Sequence, residues 1–542
     1  MLVGTRYRNA ALDASYDTIV VGSGLGGLTA AALLAKSGQR VLVLERHYTA
    51  GGFTHSYRRR GFEWDVGVHY IGDVHKPGSP LRQLFDAVTD GQLQWAPMQS
   101  PHDRIIVGED RYDFVAGAQH FREELLRSFS GADAQIDEYL RRIRSASREV
   151  PLQFLPRNLP APLQPLAQLA AGRRSSGAFG RTTASVLEEF VTDKRLAGVL
   201  TGQWGDYGLP PGQSSFGMHA VVAQHYLGGA NFPVGGAWRI ADTITPVIEG
   251  PGGAVVVDAE VEQILLRQDR AIGVRMANGD EILADRVISG AGVHATFGRL
   301  LPAETAQRLP VTRKAAALRP SVAHLGLYLG LRGTTEELGL EQANLWVYRD
   351  YDHDASLARY LAAPSTDFPL AYISFPSAKD PDWQRRYPGK STIDVITLAP
   401  YEWFSRWEGT AWHKRGAAYE EYKAELEQAL LEEVFRQVPQ VREHVAYHEL
   451  STPLSTAEFS GYAKGQVYGL EHTPYRFDQT WLQARTPVRG LYLTGQDILF
   501  CGVGSALMSG AVTAAVAMGP RAARVLPHIL DLSPRRALGL GR

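Results

Sequence analysis

The sequence predicts an α/β protein: a buried parallel sheet wrapped by helices, joined to a second α+β domain built on a mixed sheet. Three observations predict it. Residues 18–21 (Thr-Ile-Val-Val) form a β-branched run that suits a strand buried on both faces. It leads into Gly22-Ser23-Gly24-Leu25-Gly26-Gly27, an Ala/Leu-rich helix over 28–36, and a second apolar run, Val41–Leu44, that ends at Glu45. Short strands closed by glycines then return far along the chain, at 287–292 and 490–497, so the first layer is assembled from separated pieces. Between those returns, the runs 322–331, 345–348, 370–374 and 391–398 are strand-like and suit a mixed sheet walling a cavity.

The first block is a dinucleotide-binding unit of Rossmann type. Gly22 permits a tight turn, Gly24 lets the backbone approach a pyrophosphate, and Gly27 lets the helix pack close to the strand. The phosphates meet the positive end of the helix and its free amides, starting with Leu25 and Gly26. Glu45 accepts hydrogen bonds from ribose hydroxyls, which favours a free diol, as in NAD or FAD, over a 2′-phosphate. A glycine-rich core turn without a nucleotide would leave Glu45 unexplained.

Composition narrows the class. With 542 residues, 44% hydrophobic and 21% charged, the chain is an ordered protein large enough for two domains. Its net charge of −1 gives no electrostatic reason to expect nucleic acid. The single cysteine, Cys501, excludes a disulfide framework and any cysteine-rich metal site, and it favours a reducing compartment. None of the sixteen histidines has metalloenzyme spacing, so no metal is expected. The first fifteen residues lack an apolar segment and no eighteen-residue apolar run stands out. The expectation is a cytoplasmic protein, free or membrane-associated, without signal peptide or spanning helix.

After Arg46, the pair Gly51-Gly52 marks a close pass by a cofactor, a feature of a subset of FAD enzymes. Two short strands, 53–57 and 62–64, flank a hairpin tip at Arg59-Arg60-Gly61. Asp65-Val66-Gly67-Val68-His69-Tyr70-Ile71-Gly72 suggests a second close pass, with His69 either near the cofactor or a core histidine.

Here the sequence resembles the FAD-containing amine-oxidase and phytoene-desaturase superfamily, and within it the retinol saturases. Gly51-Gly52-Phe53-Thr54-His55-Ser56 and the 65–72 segment look like that family's cofactor segments. Gly91-Gln92-Leu93-Gln94-Trp95-Ala96-Pro97, Ser215-Phe216 with Met218-His219-Ala220, Phe375-Pro376-Ser377-Ala378-Lys379-Asp380-Pro381, Tyr401-Glu402-Trp403-Phe404 and Tyr492-Leu493-Thr494-Gly495-Gln496-Asp497-Ile498 resemble saturase segments. The resemblance implies an amine-oxidase-like FAD domain from 1–75, 235–300 and 485–530, a substrate domain from 76–234 and 301–484, and a tail at 531–542. It implies that Val261 meets the adenine through its backbone. It places Asp497 beside the ribityl and pyrophosphate, and aims the helix amides from Gly502 through Gly504, Ser505 and Ala506 at the flavin pyrimidine carbonyl, where they stabilise the charge of reduced flavin. The expected cofactor-binding set is Gly22, Gly24, Leu25, Gly26, Gly27, Glu45, Arg46, Gly51, Gly52, His55, Val261, Gly292, Gly495, Asp497, Gly504, Ser505 and Ala506.

Along the rest of the chain, 121–128, 136–150, 185–200, 214–226, Arg239–Glu249 and 417–435 have helical patterns, and Asn278-Gly279 makes a tight hairpin. Residues 151–172 hold five prolines among Leu, Phe and Ala and cannot form one regular helix. They either cover an apolar tunnel mouth or touch a membrane, or are ordinary packed loops. Gly469-Leu470-Glu471-His472-Thr473-Pro474 departs from the saturases towards bacterial desaturases, which leaves reaction direction and substrate open.

The expected function is an FAD-dependent oxidoreductase acting on carbon–carbon double bonds of an apolar polyene, a retinoid- or carotenoid-like isoprenoid. The alternatives are a carotenoid desaturase or cis–trans isomerase and, more remotely, a non-catalytic prenyl-lipid escort. FAD binds noncovalently. Gly228-Gly229 and Gly235-Gly236 have the wrong spacing for a second nucleotide unit, so NAD(P)H either visits the flavin transiently or electrons come from another donor. Proton-donor candidates by residue type are His69, Tyr70, His219, Tyr468 and His472. A tunnel ending near His69 and Tyr70 is expected, lined by Phe216, Tyr226, Phe232, Tyr372, Tyr401, Trp403 and Tyr468.

Overall fold

Strand Ser15–Val21 lies at the centre of the first sheet because residues 18–21 carry no side chain that needs water; all four are buried. The strand runs parallel to Val41–Leu44 on one side and to Glu281–Ser289 on the other. In this computed structural model, which describes residues 1–172 and 177–530, the sheet order is Thr5–Arg6, Ala254–Val257, Val41–Leu44, Ser15–Val21, Glu281–Ser289, Arg270–Met276, Val261–Arg267. The expected tail at 531–542 lies outside the described residues.

Strand Glu281–Ser289 changes partner along its length. Residues 281–283 pair antiparallel with 273–275, whereas 287–289 pair parallel with Leu491–Leu493. The helix Leu25–Lys36 is buried from Leu25 to Ala35 and packs against Val503–Met518 and Arg239–Glu249. Glycine makes the first of these contacts possible. A Cβ at Gly510 would lie 2.5 Å from the Gly26 carbonyl oxygen, inside any allowed contact.

The second domain is built on a seven-stranded mixed sheet. Its order is Val445–Ser451, Ala323–Arg332, Lys390–Ala399, Leu370–Ser374, Asn344–Tyr348, Asp103–Val107, Asp110–Phe114. All pairings are antiparallel except Asn344–Tyr348 with Asp103–Val107. A hairpin of Ser56–Arg59 and Phe62–Asp65 packs against this sheet: the Trp64 indole donates to the Leu329 carbonyl at 2.9 Å.

Several elements differ from expectation. The 185–200 pattern divides into Thr183–Leu187 and Lys194–Leu200, because Thr182 and Asp193 each cap a new N-terminus. Helix Pro80–Thr89 packs Leu84, Phe85 and Val88 into the core of the nucleotide layer, beyond residue 75. The proline-rich stretch forms Val150–Asn158, a 3₁₀ turn and Gln164–Gly172. One helical stretch among the described residues, Val503–Ile529, is long and apolar enough to cross a membrane by length and composition, and half of its apolar window is buried within the fold.

Candidate active site

A cavity of about 1260 Å³ lies between the two sheets. Its lining includes the glycine turn, Gly51-Gly52, His69 and Tyr70, and, at the proline-rich stretch, Pro151, Phe154 and Leu155.

Each glycine of the turn has its own geometric reason. Gly22 has φ +93°, a left-handed conformation that disfavours side chains. A Cβ at Gly27 would lie 2.4 Å from the Gly22 carbonyl oxygen. A Cβ at Gly26 would lie 2.8 Å from the Gly495 nitrogen, so Gly26 seats the last strand's loop as well as the helix. Gly24 differs from both, since a Cβ there would meet nothing within 4 Å. Its missing side chain leaves cavity space, whereas at Gly26 and Gly27 the space is filled by backbone. Gly52 closes the cradle, since its Cβ would fall 2.9 Å from the Gly24 Cα.

Glu45 is buried and already engaged. Its Oε2 accepts from the Ser23 amide at 2.8 Å and the Ser23 hydroxyl at 2.7 Å, and its Oε1 accepts from the His47 amide at 2.8 Å. One lone pair on Oε1 remains for a ribose hydroxyl. Arg46 lines the cavity and has no ion pair among the described residues. The His55 Nδ1 pairs with the Gly52 carbonyl at 2.6 Å, and burial pushes its pKa down to about 3, so the ring is neutral. Val261, Gly495, Gly504, Ser505 and Ala506 line the same cavity, the last three in the first turn of Val503–Met518. Asp497 and Gly292 stand behind it. The Asp497 Oδ2 accepts from the Val293 amide at 2.8 Å, its Oδ1 has no partner among the described residues, and Gln496 takes the place on the cavity wall.

These residues fit a dinucleotide with a flavin. The turn at Gly24 leaves open space, and among the described residues Arg46 has no ion pair and neither nitrogen of buried His69, which lines the cavity, has a hydrogen-bond partner.

Of the five proton-donor candidates, the structure brings His69, Tyr70 and Tyr468 to the cavity. His69 lies 3.6 Å from Asp394; burial lowers the histidine pKa to about 3, so the ring is neutral, and raises the carboxyl well above its usual value. The Tyr468 hydroxyl donates to the Gly205 carbonyl at 2.8 Å. His219 and His472 are not on the cavity wall. His219 is held between the Tyr139 and Tyr207 hydroxyls at 3.0 and 3.1 Å. His472 accepts from the Cys501 amide at 2.9 Å and contacts Arg476 Nη1 at 2.8 Å, and Arg476 in turn donates to the carbonyls of Leu470, Gln496 and Leu499. Both histidines shape loops beside the site.

The expected aromatic lining is corrected likewise. Tyr226 and Tyr468 line the cavity, but Phe216, Phe232, Tyr372 and Tyr401 are buried in the protein core and Trp403 packs half-buried against it. Tyr57, Phe154, Tyr328 and Phe500 supply aromatic wall instead.

A buried polar cluster beside Tyr70 was not expected. Tyr70 Oη lies 3.1 Å from Asp103 Oδ2 and 3.0 Å from Asp206 Oδ2. Gln203 Nε2 donates to Asp103 at 2.7 Å and Asn344 Nδ2 at 2.9 Å. Lys379 Nζ, fully buried, donates to the His69 carbonyl at 3.0 Å, to Ser374 Oγ at 2.7 Å and to Asn344 Oδ1. A lysine and an aspartate inside apolar runs were the available signal, but nothing in the sequence says that they meet.

Comparison with known proteins gives four findings. The family described as flavin containing amine oxidoreductase matches residues 25–518. An all-trans-retinol 13,14-reductase of Danio rerio is 38% identical over 92% of this chain and 85% of its own length. Prolycopene isomerase 1, chloroplastic, of an Oncidium hybrid cultivar is 26% identical over 97% of this chain and 87% of its own. In fold, putrescine oxidase bound to putrescine superposes with a TM-score of 0.60 at 15% identity, covering 92% of this chain and 98% of that one.

Proposed function

This chain belongs to the flavin-containing amine oxidoreductases, and from that premise we propose that it is an FAD-dependent reductase of carbon–carbon double bonds in an apolar polyene, of retinoid or carotenoid type. The observation that carries the proposal is the continuity of one cavity from the dinucleotide cradle at Gly24 and Gly52 to an apolar end at Pro151, Phe154 and Leu155. A long, rigid, apolar molecule gains roughly 25 cal/mol per Å² buried, so a deep apolar channel suits it better than a small polar pocket does.

Gly22 to Gly27, Glu45, Arg46 and the Gly51-Gly52 pair would hold the adenosine and diphosphate end of FAD, and the amides of Gly504 to Ala506 its flavin end. When bound and reduced, FAD supplies a hydride to one carbon of the double bond. The remaining work is this chain's own. His69, neutral, offers a polar edge without adding charge. The walls at Tyr57, Tyr328 and Phe500 exclude water and orient the polyene. Noncovalent attachment of the cofactor is supported at Cys501, whose buried thiol donates to the Asp206 carbonyl at 3.4 Å and whose pKa burial raises. NAD(P)H is assigned a transient visit to the same cavity as electron donor.

Leu155, Leu159, Leu163, Leu166 and Leu169 are all exposed around the proline-rich stretch, from 37% at Leu159 to 71% at Leu166. This apolar ridge begins at the cavity and is assigned a peripheral membrane contact, through which substrate enters. The isomerase relative favours one second reading, cis–trans isomerisation at the same site. Anaerobic incubation of photoreduced enzyme with a panel of polyenes, read by mass spectrometry, separates the two. A gain of two hydrogens supports reduction, unchanged mass with a new isomer supports isomerisation, and no change with any polyene rejects both.

A further inference from the structure

The buried carboxylate pair at Tyr70 has a proton count that its geometry fixes. The phenol has one hydrogen and two carboxylate oxygens at donor distance, Asp103 Oδ2 and Asp206 Oδ2. It satisfies one of them. If both acids were ionised, the other would face a phenol lone pair across 3 Å with no proton between them. A second proton removes the conflict, and the partners show where it sits. Asp103 is fully buried and accepts from Gln203 and Asn344, with the Lys379 ammonium one residue further out through Asn344. That is an environment for a carboxylate. The Asp206 carboxyl has Tyr70 as its only side-chain partner among the described residues. That is an environment for a carboxylic acid.

We propose that Asp206 is held as a carboxylic acid on the cavity wall, sharing its proton with Tyr70, and that it delivers this proton to the substrate carbon next to the one that receives hydride. The assignment of a substrate rests on the function proposed above; the shared proton does not. Asp206 is suited to the task by position, since it keeps accessible surface and lines the cavity, whereas Asp103 has neither property. The groups facing the pair come from several elements. Tyr226 stacks on Tyr70 at 4.0 Å, Tyr372 lies 6.4 Å away, and Lys379 Nζ is 5.9 Å from the Tyr70 ring centre. His102 lies 6.3 Å from Tyr226, His69 precedes Tyr70 in the chain, and Tyr468 and Cys501 close the side towards the last helix. Among these Lys379 alone can carry a positive charge near neutrality, and it is spent on the Asp103 side. Burial first, then the Asp103 charge, hold the Asp206 carboxyl well above the usual carboxylate range.

The step balances. The π bond breaks, one carbon gains hydride from the reduced cofactor and its neighbour gains the Asp206 proton, so the substrate takes up two electrons and two hydrogens while the cofactor gives up two electrons. Asp206 is left as a carboxylate beside Tyr70, whose phenol hydrogen turns to stabilise it, and it regains a proton from water entering the cavity between turnovers.

Two measurements test this in the holoenzyme. Infrared difference spectra in H₂O and D₂O at neutral pH should show a protonated-carboxyl C=O band that disappears in Asp206→Asn and moves in Tyr70→Phe; a spectrum unchanged in Asp206→Asn overturns the shared proton. In the second, enzyme reduced under anaerobic conditions is mixed with the polyene and its reoxidation followed. Asp206→Asn should slow that step by on the order of 10²–10⁴-fold, and Asp206→Glu should recover part of it. Reoxidation by ferricyanide, which needs no carbon protonation, should be unchanged in both. The wild-type rate should fall as pH rises through the Asp206 titration, and this limb should vanish in Asp206→Asn. A variant that keeps the wild-type rate and limb with polyene overturns the donor role. Failure of wild-type enzyme to reduce any polyene would reject the proposed function and the donor role together, with the infrared band still deciding where the proton resides.

Discussion

The two polar walls of the cavity are made in opposite ways. The cradle at Gly22 to Gly27 and Gly51-Gly52 is backbone, drawn from two short stretches of chain, and it works through side chains that are missing. The cluster at Tyr70 is side chain, with Asp103, Asp206, Asn344 and Lys379 arriving from four further segments. A site made of absences is local and tolerates change poorly, because a single Cβ fills it. A site made of convergent charges depends on the whole fold, and its chemistry is set by which group lacks a partner.

The sharpest way to break this contrast lies inside the cradle. Gly27→Ala puts a Cβ 2.4 Å from the Gly22 carbonyl oxygen and should destabilise the protein by about 3 kcal/mol or more in urea unfolding. Gly24→Ala meets no atom within 4 Å, so the cofactor-free protein should stay within about 0.5 kcal/mol of wild type. Its FAD affinity, titrated by fluorescence, should nonetheless fall roughly 100-fold, about 2.7 kcal/mol. Equal effects of the two substitutions on stability would show that the open space at Gly24 has no function. Glu45→Ala comes next: losing an acceptor whose hydrogen bonds are worth about 1.5–3 kcal/mol each should weaken FAD at least tenfold, with the fold retained.

The convergent wall is probed by pH. Burial pulls the Lys379 pKa from 10.5 down to about 7, so between those values the unfolded chain binds more protons at this residue than the folded one. Stability should therefore rise as pH increases above 7, with Lys379 contributing a slope of up to about 1.4 kcal/mol per pH unit. Urea unfolding of Lys379→Met at pH 7, 8 and 9 should show that component removed; an identical slope in the variant would place the titration elsewhere. The smallest effect on stability belongs to the outer ridge. Leu163→Ser with Leu166→Ser, at side chains 54% and 71% exposed, should move stability by less than about 0.5 kcal/mol while lowering co-sedimentation with phospholipid vesicles. Undiminished vesicle binding would detach the ridge from the membrane.

The sequence made the cradle legible for the same reason that it is fragile. Strand, glycines, helix and terminal acid fall within about thirty residues, and each has a stereochemical reason that needs no tertiary information. Helix Arg239–Glu249 emerged with its boundaries because its apolar period matches its buried face, and strand Leu370–Ser374 because it is a short run buried from end to end. Strand Val445–Ser451 was missed because it is a polar edge strand with only Leu450 buried, so alternation carries little contrast. The hairpin Asp103–Val107 and Asp110–Phe114 had a usable signal, a Gly108 turn between β-branched and aromatic residues, that its many charges concealed. Asp206 gave no signal at all. Its Trp-Gly-Asp setting in a Gly/Pro-rich loop looks like surface, and only the fold carries Tyr70 to it. The aromatics assigned to the tunnel failed in the reverse sense: residue type marks what prefers to leave water, but a packed core and a substrate channel satisfy that preference equally.

The partner exchange along strand Glu281–Ser289 sets an order of events during synthesis. Its second half waits for Leu491–Leu493, and the helix that covers the glycine turn, Val503–Met518, follows later still. The chain must therefore emerge past residue 493 before strand Glu281–Ser289 acquires its last neighbour. Contacts closed over such long separations form slowly, and until they do the Glu281–Ser289 edge stays open to other chains. The nascent protein has a prolonged adhesive stage, so its yield in a cell depends on chaperone capacity, and a ribosome that stalls before residue 491 releases a sheet with one side unsealed.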